Sequence, residues 1–155
     1  AACAPAREAG ARVVSVRTGL VLSGAGGLLP PLAAVTRTGL GGRLGSGRQW
    51  MSWIALDDLT DVYLRAITHS ELSGPVNAVA PAPVRNADFT AELGSALRRP
   101  TMLPVPGRAA AVLLGERGAR ELALADQRVG AGVLGAAGHV FRFPDVGSAL
   151  RHELG

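Results

Sequence analysis

The sequence contains no lysine: all sixteen basic residues in its 155 positions are arginine. That excludes a Gly-Lys-Ser/Thr phosphate loop, a Schiff base and a Tyr-x-x-x-Lys proton-transfer pair. The single tyrosine, Tyr63, is followed four residues on by Ile67. Cysteine is nearly absent too, and Cys3 alone forms neither an internal disulfide nor a thiolate metal cluster. With no histidine nearby in sequence, Cys3 reads as a buried thiol near the chain start rather than a nucleophile. Histidines are few and far apart, at positions 69, 139 and 152, without the spacing that builds a metal face, so no metal is expected. No charge-free apolar run approaches the length of a membrane span, and Ala1–Gly10 lacks the basic and apolar regions of a secretion signal. These absences predict a soluble cytoplasmic chain with no membrane partner.

What is present is globular text: 48% apolar residues, 21 Gly and 10 Pro, enough for one or two small domains. The net charge of +4 is carried by arginines scattered from Arg7 to Arg151. Arg98 and Arg99 are the only adjacent pair, at a helix end where the dipole favours cations, so no nucleic-acid surface is expected.

Periodicity divides the chain into alternating strands and helices. Ala1–Gly10 reads as the end of a helix stopped by Gly10, and Arg12–Leu22 as one strand, apolar on both faces as in a covered parallel sheet. Leu28–Thr38 is helical, with Pro30 and Pro31 fitting a first turn. Gln49–Leu56 reads as a Trp-rich strand, Asp57 or Asp58 as the cap of a helix through His69, and Pro75–Ala80 as a short strand. Asn86 caps a helix to about Arg98 bearing a Phe89, Leu93 and Leu97 stripe, and Thr101–Pro106 suits a short edge strand. Ala-, Leu- and Gly-rich helical text follows, and Asp145 caps a last helix, Val146–Leu154.

Gly130, Gly132 and Gly135 (GAGVLG) match a dinucleotide fingerprint by letter, but the text before them, Glu121–Val129, is helical rather than a strand, and the match is set aside. Asp57, Asp58 and Asp61 could pair as catalytic carboxylates, although a helix N-terminus attracts acids by its dipole alone. Gly45–Asp58 (GSGRQWMSWIALDD) is the sharpest feature. Gln49 and the flat ring of Trp53 could line a pocket there, or the two tryptophans could simply bury area.

RTGLVLSGAGG at Arg17–Gly27, the Gly45–Leu59 segment, and SGPVNAVAPAPVRNADFTAELGSALRRP at Ser73–Pro100 resemble the second half of NAD(P)-dependent epimerases/dehydratases of the extended short-chain dehydrogenase superfamily. More narrowly, they resemble a subgroup of nucleoside-diphosphate-sugar epimerase-like proteins that includes cell-division-inhibitor-like members. LPVPGRAAAVLLGE at Leu103–Glu116, ADQRV at Ala125–Val129 and FRFPDVGSALRHEL at Phe141–Leu154 resemble that subgroup's C-terminal domain of unknown function.

The resemblance implies an α/β chain, the C-terminal part of a Rossmann-type parallel sheet plus a small α+β substrate domain. Residues 1–100 would carry the last strands interleaved with the substrate domain, and 101–155 a mainly helical C-terminal domain. NAD or NADP would serve the complete protein, whose fingerprint and catalytic Tyr lie in the other half, so this chain alone would bind neither and carry no catalytic residue. Thr18 and Gly19 fall at the cofactor positions; Leu20, Gln49, Met51 and Trp53 fall at substrate positions for an unknown small molecule. Leu20 stands where relatives carry Asn, and Met51 where those acting on nucleotide sugars carry a diphosphate-binding Arg, which argues against such a substrate. The implied partner is the missing N-terminal half or a second copy, and a non-catalytic binding or regulatory protein is the rival reading.

Overall fold

The computed structural model describes residues 3–105 and 126–155. A short first helix, α1 (Ala4–Glu8), ends before Gly10, whose φ of +79° suits a residue without a side chain. Cys3 beside it is exposed rather than buried.

The run expected as one strand, Arg12–Leu22, is two: β1 (Val14–Thr18) and β2 (Leu20–Leu22), broken at Gly19. The reason is a change of partner. The amide of Gly19 still donates to Ala78 O (3.2 Å), while that of Leu20 donates to Ser52 O (2.8 Å). A Cβ at Gly19 would lie 2.5 Å from Ser52 O and 2.9 Å from a Val79 methyl, so only glycine passes this point. Helix α2 (Leu29–Arg37) follows, with its prolines in the first turn as the sequence suggests.

Gln49–Leu56 is likewise divided, at Ser52, into β3 (Trp50–Met51) and β4 (Trp53–Ala55), and Leu56 already opens α3 (Leu56–Thr68). After α3 come β5 (Gly74–Ala78), β6 (Val84–Arg85), α4 (Asn86–Leu97), α5 (Gly132–Ala136) and α6 (Val146–Leu154). Strand β1 pairs in parallel with β5, from Val14 opposite Gly74 to Thr18 opposite Ala78. Strand β2 pairs in parallel with β4, from Leu20 opposite Trp53 to Leu22 opposite Ala55, and β3 pairs antiparallel with β6. Thr101–Pro106 forms no strand over its described residues, only isolated bridges of Met102 to Gly42 and Val105 to Leu44.

Successive side chains of a strand face opposite ways, and β4 shows the result. Trp53 and Ala55 enter one core with Leu22, Leu29, Phe89 and Leu150, while Ile54 enters another with Val62, Val76 and Leu134. Strand β4 is therefore covered on both faces, as its apolar text demands. The final helix shares the first core with α4.

Neither acid of the Asp57–Asp58 pair caps α3; the N-cap is Ala55 without a side-chain bond. Asp58 is instead fully buried and accepts from the amides of Arg142 (2.7 Å) and Phe143 (3.1 Å). Asp61 holds the Arg142 guanidinium through two bonds of 2.7 and 3.0 Å, and Asp57 lies 3.2 Å from His152. The acidic run thus docks the C-terminal segment onto α3. Asn86 is the first residue of α4, not its cap; its side chain accepts from Leu44 N (2.7 Å) and reaches Met51 Sδ (3.5 Å). Asp145 does cap α6, accepting from Ser148 N at 2.8 Å. Of the text read as helical before GAGVLG, Asp126–Val129 is irregular chain, and residues 121–125 lie outside the described residues. No helix among the described residues is long and apolar enough to cross a membrane.

Candidate functional site

The switch of partner at Gly19 leaves a hollow. Beyond the carboxyl ends of β1 and β5, and against the Gly19–Ser52 crossing, lies an open cavity of about 670 Å³. Ends of parallel strands at a change of neighbour are where α/β sheets bind ligands, because loops diverge there and leave backbone groups unpaired. Thr18, Gly19, Leu20 and Met51 all line it. Three consecutive positions and a fourth, thirty-one residues further on, are thereby brought to one surface.

Gln49 and Trp53 are not among its lining residues. Trp53 is fully buried, with its indole N–H donating to Ala82 O at 3.0 Å, so its ring is core and not a cleft wall. Gln49 turns its amide inward to Leu44 O, 3.2 Å away. The strand break at Ser52 explains both outcomes: an unbroken strand would carry Gln49, Met51 and Trp53 on one face, whereas the break leaves Met51 at the cavity and returns Trp53 to the core.

Sequence reasoning missed the residues that close the cavity. Ser52 uses its hydroxyl twice, donating to Gln127 O (2.8 Å) and accepting from Val129 N (2.9 Å). Asn77 reaches Gly130 O at 3.5 Å, and Asp126 accepts from Trp50 N at 2.8 Å. Trp50 is held between two guanidiniums, Arg85 at 3.8 Å and Arg128 at 4.8 Å from its ring centre, a cation–π arrangement. The Asp126–Gly130 segment is thereby strapped across the cleft. A serine interrupting an apolar Trp-rich run was the available signal.

Chemically the cavity is mostly apolar with neutral polar groups, and Arg17 is its only charged side chain among the described lining residues. No carboxylate, imidazole, phenol or thiol is among the described lining residues. Tyr63, 47% exposed on α3, is not part of it. The histidines lie elsewhere. His139 is held below its ordinary pKa by burial and then by the Arg65 guanidinium. Among the described residues no three His, Cys, Asp or Glu side chains gather as a metal site.

Residues 105–153 match the family model described as a domain of unknown function, DUF1731. The chain is 49% identical over 146 residues to an epimerase family protein of Mycobacterium bovis, covering 94% of this chain and 48% of that protein. It is 37% identical over 140 residues to the human epimerase family protein SDR39U1, covering 90% and 47% respectively. Among solved structures, a nucleoside-diphosphate sugar epimerase from Corynebacterium glutamicum matches with TM-score 0.80 at 47% identity, covering 99% of this chain and 28% of that one. Human SDR39U1 (isoform 2) with NADPH matches with TM-score 0.84 at 35% identity, covering 92% and 48%. The chain spans about half the length of the relatives named by sequence. By sequence and by fold it matches epimerase family proteins of Rossmann type over their DUF1731-bearing C-terminal part.

Proposed function

We propose that this chain is the substrate-side half of an NAD(P)-dependent epimerase- or oxidoreductase-type protein, with the cavity at the Gly19–Ser52 crossing as the place where nicotinamide and substrate meet. The observation that carries this is the convergence of Thr18, Gly19, Leu20 and Met51 on one cavity at the carboxyl ends of parallel strands. The residues fit the nicotinamide end of the cofactor. Gly19 lines the cavity with its side-chain position taken up by Ser52 O and a Val79 methyl, and Leu20, Met51 and Val79 offer a flat ring an apolar surface. They do not fit the pyrophosphate end, since GAGVLG follows no strand and opens only the short α5.

When bound, the cofactor supplies or accepts a hydride at a carbon bearing oxygen. The chain's own residues hold the reactants: Thr18 and Gly19 at the cofactor, Leu20 and Met51 at the substrate. From residues 101–155, the Asp126–Gly130 segment adds a wall to the cleft that residues 1–100 build. Proton transfer falls to groups outside this chain. The apolar Leu20 and Met51 support a second reading, a non-catalytic binding or regulatory protein on the same scaffold, and cofactor turnover separates the two.

Calorimetry with NADPH tests the assignment. The full-length protein is expected to bind in the micromolar range and the isolated 155-residue chain not to bind. Low-micromolar binding by the isolated chain would overturn the division of labour, and no binding by the full-length protein would overturn the reading altogether.

A further inference from the structure

We propose that Gln127 is a substrate-contacting residue that recognises a neutral hydroxyl or carbonyl group, and that Ser52 positions it. The proposal rests on the cofactor-cleft reading above and deepens it. One side chain fixes the backbone on either side of residue 128. The carbonyl of Gln127 and the amide of Val129 are both bound to the one Ser52 oxygen, at 2.8 and 2.9 Å. A hydroxyl offers one donor and two acceptor positions, so one side chain fixes both peptide groups.

Gln127 and Val129 line the cavity, while Arg128 between them lies over the Trp50 ring, which is not among the lining residues. Asp126 and Gly130 are tied down at the ends by Trp50 N and the Asn77 amide. Of the cavity's amide and hydroxyl groups, Ser52 is thus spent on the strap and Asn77 gives it one N–H, while Thr18, also lining the cavity, stands at the cofactor position. The Gln127 side chain is exposed and makes no hydrogen bond among the described residues. It stands beside the apolar Met51 and Val129 with both a donor and an acceptor to offer and no charge. Such a group matches a hydroxyl or carbonyl oxygen; it gives a diphosphate or carboxylate none of the charge-assisted bonds that an arginine would.

The test uses the full-length protein with NADPH and a panel of small uncharged aldehydes, ketones and sugars, DL-glyceraldehyde among them, beside nucleoside-diphosphate sugars, following NADPH oxidation. Turnover is expected with uncharged panel members. Gln127→Ala should raise KM by roughly tenfold, about one lost hydrogen bond, with NADPH affinity within twofold of wild type. Ser52→Ala should do the same and Ser52→Thr should restore KM, which a merely structural serine would not show. Unchanged KM in Gln127→Ala, turnover of nucleoside-diphosphate sugars only, or no turnover of any panel member would overturn the proposal while leaving NADPH binding intact. Failure of the wild-type protein to bind NADPH would remove both readings together.

Discussion

At the scale of single residues, the tryptophan that dominates the sequence turns out to matter for folding. A large ring is visible in sequence, but what covers it is not, and Trp53 sits against residues from α2, α4 and α6 that no local pattern announces. Trp53→Ala should cost roughly 3–5 kcal/mol of stability, read as a drop in the urea midpoint, and retention of wild-type stability would contradict the core placement. Asp58 is a second such residue: Asp58→Ala would strip two part-buried amides of their acceptor and should destabilise by about 1–3 kcal/mol, whereas an acid serving only the helix dipole would cost a few tenths. His139 gives the pH dependence. Its folded-state pKa lies below its ordinary value because burial, then Arg65, opposes the charged form. A depressed histidine leaves stability complete above the unfolded value of about 6.5 and removes it as pH falls through the lower folded value. The urea midpoint should therefore fall between pH 7 and pH 5, and His139→Phe should flatten that slope. Asp145, whose pKa is lowered by its bonds to Ser148, acts in the same direction but further into acid.

At the scale of elements, legibility followed locality. Helix α6 and its cap were readable because Asp145 and Ser148 are three residues apart and satisfy one another. The Phe89 and Leu93 stripe of α4 and the prolines opening α2 were readable for the same reason, since spacing alone places them. Asp145→Ala should cost about 1 kcal/mol, measurable as a lowered melting temperature with unchanged helix content elsewhere. The breaks at Gly19 and Ser52 were hidden because each is imposed by a partner far off in sequence: Ser52 O is what excludes a side chain at Gly19, and Leu20 N is what claims Ser52 O. Asn86 misled for a related reason, having a capping residue's chemistry but spending it on Leu44 and Met51. The strap from Asp126 to Gly130 was invisible, because irregular chain carries no period and its bonds all run to segments about fifty or more residues earlier.

For the whole molecule, the parallel class was legible from apolar text on both strand faces, while the way the strands share themselves among partners was not. Among the described residues β1 is paired only along its β5 side, and it is half-buried rather than enclosed. An unpaired edge invites another strand, and the relatives, about twice as long as this chain, have sequence to spare for it. Light scattering after size-exclusion chromatography should show the isolated chain associating, and a stable monomer with that edge open would count against an occupied edge. The far end of the chain raises a different matter. The carboxylate of Glu153, in the last turn of α6, accepts from Gly24 N at 2.8 Å, and the loop that begins there runs on to Gly27 and Leu28, which line the cavity. A fluorescent reporter carried on the exposed face of α6 would therefore sense the cleft's occupancy through Glu153 and this loop, without any label in the cleft itself.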